Sequence, residues 1–120
     1  MTKYNWGIIG TGWIAHDMAD ALNKTNGEIY AAANPNEAHL TEFVKEKNVK
    51  HAYVNPYDMI ADENIDIIYV ASPNNTHYGF VKKALEAGKN VFCEKSLTVN
   101  AKEFDELEAL AKEKGVILTE

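Results

Sequence analysis

Six short apolar runs alternate along the chain with amphipathic stretches about a dozen residues long. The runs are Asn5–Ile9, Glu28–Ala33, His51–Val54, Asp66–Ala71, Asn90–Cys93 and Val116–Leu118. The fourth is nearly continuous in large apolar side chains, the pattern of a strand covered on both faces. Between the runs the apolar spacing turns helical. Ile14, Met18, Ala21 and Leu22 form one stripe, and Leu40, Phe43 and Val44 a second. Val81, Ala84 and Leu85 make a third, and Phe104, Leu107, Leu110 and Ala111 a fourth. Gly27, Gly88 and Gly115 each fall just past a predicted helix, where a left-handed residue ends it, and Asn48 suits the same place after the second. Asn100 with Glu103 three residues on reads as a capping box, and 56–60 as one short turn of helix. Strict alternation of strand and helix predicts an α/β fold, a doubly wound parallel sheet with helices on both faces. Strand order 3-2-1-4-5-6 follows as the leading topology, with ligands at the carboxyl ends of strands one and four.

Composition narrows the field. The 120 residues suit one domain, with 46% hydrophobic and 25% charged residues, the mix of a water-soluble globular fold. A net charge of −6 and scattered lysines argue against a nucleic-acid partner. No apolar run is long enough for a membrane span, and none has the layout of a signal peptide, so a cytoplasmic location is the default. The lone Cys93 excludes an internal disulfide and, inside an apolar strand, reads as a buried inert thiol. His39 and His51 have no partner at metal-ligand spacing, so no metal site is expected. His16 reads as solvent-facing or capping, and the lysines of 45–47 and 112–114 as solvated helix ends.

The chemistry concentrates in Gly10-Thr11-Gly12-Trp13-Ile14-Ala15, a G-x-G-x-x-A turn between a strand and a helix. The first glycine permits the sharp turn, the second clears space for a pyrophosphate, and Ala15 lets the helix pack closely. The helix N-terminus adds free amides and a positive dipole end. This fingerprint also calls for an acid about 20 residues on, against the adenosine ribose. Ala33-Asn34-Pro35 stands there instead, with no carboxylate before Glu37 and no arginine nearby. Asn34 can bond a ribose hydroxyl without attracting or repelling a 2′-phosphate, or it can simply make a turn with Pro35. NAD or NADP is therefore expected, with weak discrimination and a slight lean to NAD.

Two later segments add to the glycine turn. They are Ser72-Pro73-Asn74-Asn75-Thr76-His77 after strand four and Ala87-Gly88-Lys89-Asn90-Val91-Phe92-Cys93-Glu94-Lys95 through strand five. Together they resemble the glucose-fructose oxidoreductase / inositol dehydrogenase family, Gfo/Idh/MocA, over essentially the whole chain as its N-terminal Rossmann domain. The resemblance implies an NAD(P)-dependent dehydrogenase acting on a sugar, polyol or related secondary alcohol. It implies a following substrate domain, which residues 1–120 do not include, so that the chain alone would not turn over. It implies a homo-oligomer for the longer protein. By position it places Gly10, Thr11, Gly12, Trp13 and Ile14 at the pyrophosphate and Asn34 near the ribose. Ser72, Pro73, Asn74 and His77 would border the cofactor. Glu94 would face the cofactor, and Lys95 would serve as catalytic residue, reaching both cofactor and substrate. Ser96 departs from the proline of the family's E-K-P, and Pro35 from an arginine common after strand two.

Rival readings are a nucleotide-sensing binding module without turnover and a methyltransferase-type domain for S-adenosylmethionine. The second expects an acid at the end of strand two and leaves Glu94-Lys95 unexplained.

Overall fold

The computed structural model describes residues 4–24, 28–72, 77–93 and 101–119, with the side chains of Trp13, Ile14 and Glu28 outside that description. The elements are β1 (Asn5–Ile9), α1 (Trp13–Asn23), β2 (Glu28–Ala33), α2 (Glu37–Lys47), β3 (His51–Tyr53) and α3 (Pro56–Ile60). They continue as β4 (Ile67–Val70), α4 (His77–Glu86), β5 (Asn90–Cys93), α5 (Ala101–Lys114) and β6 (Leu118–Thr119). All strand pairs are parallel, in the order β3-β2-β1-β4-β5-β6. The predicted doubly wound sheet and its strand order are what the chain forms.

Two clusters of buried side chains sit on opposite faces of the sheet. Ile9, Ile68, Val70, Val91 and Cys93 point one way, against Met59 and Ile60 of α3, Val81, Ala84 and Leu85 of α4, and Leu107 of α5. Ile8 and Tyr69 point the other way, with Ala15 and Ala19 of α1 and Leu40 and Phe43 of α2. Neighbouring residues of one strand thus serve different cores, which is why β4 reads as an unbroken apolar run. Between β1 and β2 the register slips, Trp6 pairing with Ile29 and Gly7 with Ala31, so that Tyr30 is an extra residue in β2.

Strand bounds differ from the pattern by a residue or two. Val54, Asp66 and Ala71 fall outside their strands, and β6 is Leu118–Thr119 instead of Val116–Leu118. The buried face of α1 is Ala15, Ala19 and Leu22, while Ala21 is exposed, because small residues let this helix lie close on β1 and β2. Phe104 is also largely outside the core that Leu107 and Ala111 enter. Helix ends match better. Asn48, Gly88 and Gly115 all adopt positive φ, and Asn55 caps α3 with Pro56 at its first position. Gly27 and the Asn100 cap lie outside the described residues.

Lys47 overturns the reading of 45–47 as a wholly solvated end. It is 8% exposed, and its ammonium bonds Asp20 of α1 at 2.8 Å with Glu46 at 3.7 Å. The hydrogen bond holds Asp20 below its usual range and Lys47 above its own. Lys89 is buried as well, donating to the carbonyls of Asp62 and Ile65 at 2.7 Å each, and burial pushes its ammonium down. It ties the turn before β4 to the start of β5, at the amino edge of the sheet, away from the glycine turn.

Candidate dinucleotide site

β1 is flanked by β2 on one side and β4 on the other, and the connections leave in opposite directions. A cleft of about 760 Å³ opens at this switch point, at the carboxyl ends of the strands. Its floor is the turn Gly10-Thr11-Gly12, and its sides come from Ala33-Asn34-Pro35 after β2 and Ala71-Ser72 after β4.

The two glycines of the turn have different reasons to be glycine. Gly10 has φ +103°, and a Cβ there would stand 2.9 Å from the carbonyl oxygen of Ala71. Its amide donates to the Ala33 carbonyl at 2.9 Å, and the Ala71 amide donates to Ile9 at 2.9 Å. The turn is thereby fastened to the ends of both neighbouring strands. Gly12 is in extended backbone, φ −78°, and a Cβ there would meet no atom of the described residues within 4 Å, its chain neighbours aside. Among the described residues, neither conformation nor packing requires glycine at this position. It is the N-cap of α1, with no side-chain cap and no acidic residue in the first turn, whereas Asn36 and Asn55 cap α2 and α3. Open space over uncapped amides, at the positive end of an eleven-residue helix, suits the phosphates of a dinucleotide.

Asn34 is engaged within the protein. Its amide nitrogen donates to the Thr11 hydroxyl, its Oδ1 accepts from the Asn36 amide at 2.9 Å, and its own amide donates to Tyr53 at 3.1 Å. The residue therefore makes the expected turn with Pro35 and also links the end of β2 to the glycine turn. One amide hydrogen remains for a ligand.

His77 begins α4 and is fully buried. Its Nε2 lies 2.6 Å from the Ser72 carbonyl; a carbonyl only accepts, so Nε2 carries the hydrogen. Its place is behind the cleft wall, fixing the backbone of Ser72, which itself lines the cleft. Trp13 and Ile14 contribute backbone to the first turn of α1. Pro73, Asn74, Glu94 and Lys95 lie outside the described residues.

Several cleft residues carried no motif. Pro56 of α3 and Phe80 of α4 supply an apolar wall. From the other side come His16 of α1 and His39, Glu42 and Phe43 of α2. His16 was expected to be solvent-facing or capping; its ring stands edge-on to Phe43, 4.9 Å between centroids and 88° between planes. The signal available in the sequence was spacing. Residues 39, 42 and 43 share one face in the first two turns of the helix that follows a strand end already marked as a ligand edge. Among the described residues no group of three or more His, Cys, Asp or Glu is placed to hold a metal ion.

A six-stranded parallel sheet in this order, with a glycine turn and an open helix N-terminus at its switch point, defines a Rossmann-type dinucleotide-binding domain. The chain belongs to the Gfo/Idh/MocA family, the oxidoreductase family with an NAD-binding Rossmann fold, which matches residues 4–120. It is 36% identical over 113 residues to myo-inositol 2-dehydrogenase of Thermotoga maritima, covering 93% of this chain and 34% of that one. It is 34% identical over 118 residues to mouse trans-1,2-dihydrobenzene-1,2-diol dehydrogenase, covering 96% of this chain and 35% of the relative. Among solved structures, an NAD-binding oxidoreductase from Klebsiella pneumoniae superposes with a TM-score of 0.93 at 28% identity, over 99% of this chain and 34% of the other. The chain thus spans about a third of the length of the proteins it matches.

Proposed function

We propose that this chain is the dinucleotide-binding domain of a larger nicotinamide-dependent dehydrogenase acting on a sugar, polyol or related secondary alcohol. The observation that carries the reading is Gly12, a glycine required neither by its backbone nor by packing among the described residues, at the mouth of an uncapped helix in the switch-point cleft. Relatives named as dehydrogenases of inositol and of a dihydrodiol support the chemical class.

In this reading Gly10, Gly12 and the first-turn amides of α1, from Trp13 and Ile14, hold the pyrophosphate, and Thr11 keeps Asn34 against the turn. Asn34 offers its remaining amide hydrogen to the ribose. Ser72, with Pro73 and Asn74, borders the other end of the cofactor, and His77 is a positioning residue that fixes Ser72. Glu94 and Lys95 follow β5 in the chain, with Glu94 toward the cofactor. The nicotinamide, when bound, supplies or accepts the hydride. Lys95 is the proposed catalytic residue, its ammonium stabilising charge on the substrate oxygen as the alcohol proton passes to a base of the substrate domain.

Calorimetric titration with NAD+ tests the binding half. The wild-type chain is expected to bind, and Gly12→Val to weaken binding at least about tenfold by filling the open space. Equal affinity in the variant would put the phosphates elsewhere. The catalytic half is tested in the longer polypeptide that carries this domain, where Lys95→Ala is expected to lower kcat about a hundredfold with cofactor affinity little changed. Ordinary turnover by that variant would remove Lys95 from the mechanism. Cofactor binding without any hydride transfer would leave a nucleotide-sensing module.

A further inference from the structure

The cleft carries a charge pattern that bears on which nicotinamide dinucleotide it takes. The chain contains no arginine, and none of its described lysines lines the cleft. Apart from the histidines, Glu42 is the one charged side chain among the described lining residues. It stands on α2, one turn after His39 and beside Phe43, on the side of the cleft that begins at Asn34. That side is where a fingerprint acid, or an arginine, would meet the 2′ position of the adenosine ribose.

Asn34, which holds the fingerprint position, has its Oδ1 and one amide hydrogen committed to Asn36 and Thr11. The end of β2 thus contributes a neutral, internally bonded group, and charge selection passes to α2. We infer that Glu42 is the specificity-determining residue of this cleft, disfavouring a 2′-phosphate and so selecting NAD over NADP. This inference rests on the dinucleotide reading above.

Glu37 opens α2 three residues after Asn34 but is not among the residues lining the cleft. Facing that region from α1 are His16 and, further along, Asp20, whose charge is matched by Lys47. From α2 come His39 and Glu42 at the cleft, with Glu46 behind, 4.0 Å from His16 and 3.7 Å from Lys47. Glu46 therefore has a cationic neighbour in Lys47, and none of the described ion pairs involves Glu42. A 2′-phosphate carries nearly two negative charges, and no lysine or arginine among the described cleft residues offsets the carboxylate. Two relatives are named as NADP(+) enzymes, and one similar solved structure is named an NAD-binding oxidoreductase, so the choice falls to the individual cleft.

The test is calorimetric titration of the chain with NAD+ and with NADP+ at pH 8 and low ionic strength, in wild type, Glu42→Gln and Glu42→Lys. Wild type is expected to favour NAD+. Removing the charge should raise the ratio of NADP+ to NAD+ affinity roughly fivefold, the size expected for one carboxylate acting on a phosphate across a solvated site. Reversing the charge should raise it further, and added salt should shrink both gains. A ratio of NADP+ to NAD+ affinity that stays constant across the three proteins would overturn the inference while leaving the binding site in place. Failure of wild type to bind either dinucleotide would instead overturn the proposed function on which the inference stands.

Discussion

Gly10 and Gly12 share one turn, yet one answers to the fold and the other to the space above it. Gly10 combines φ +103° with a Cβ position 2.9 Å from a backbone oxygen that β4 holds in place. Gly10→Ala is expected to cost at least about 2 kcal/mol, from strain at a left-handed residue plus the displaced contact. Gly12→Ala meets open space in an extended conformation, and should change stability by no more than about 1 kcal/mol, the difference between alanine and glycine as N-caps. Urea unfolding of the two variants separates these effects; equal destabilisation would show that the turn is not fastened to Ala71 as described.

Among the elements, β3 and the α3–β4 connection are joined by one hydrogen bond. The Tyr53 hydroxyl donates to Asp62 Oδ2 at 2.6 Å. That bond holds the Asp62 carboxyl below its usual range, and with burial it pushes Tyr53 up to about 12. The lowered acid contributes stability above its unfolded value of about 3.9, lost as pH falls through the folded value. The raised phenol contributes stability below its unfolded value of about 10, lost as pH climbs through the folded one. Tyr53→Phe is therefore expected to cost about 1 kcal/mol across the neutral range, the difference from wild type closing at both ends. Chemical denaturation at pH 3, 7 and 11 measures it, and a difference independent of pH would deny the bond its role.

The elements also show what the sequence reveals and where it stops. Strand order was legible because alternation of strand and helix leaves few topologies, and β4 announced its central place by apolar residues at every position. Helix ends were legible wherever a left-handed residue was needed, as at Asn48, Gly88 and Gly115. The face of α1 was not, since alanines at 15 and 19 signal close packing only once the sheet beneath them is known. Lys47 defeated the pattern for a similar reason: its partner Asp20 lies on another helix, 27 residues away. The floor of the candidate site was readable because its glycines are fixed in spacing. Its wall was not, because His16, His39 and Glu42 meet only when α1 and α2 lie side by side.

For the molecule as a whole, the arrangement of β1 carries a consequence for synthesis. β1 is made before either of its two neighbours, β2 and β4. The second partnership joins residues as far apart as Asn5 and Asp66, 61 positions along the chain. While residues up to about the end of α3 are emerging from a ribosome, β1 is an edge strand, with one row of amides and carbonyls open to any other extended chain. Ile9 has no Val70 or Ile68 beside it, and the glycine turn has no Ala71 to rest on. A nascent domain in that interval has neither its dinucleotide site nor protection against pairing with a second nascent copy, and both arrive with the same stretch of chain. The strand that completes the binding cleft is the one that ends the hazard.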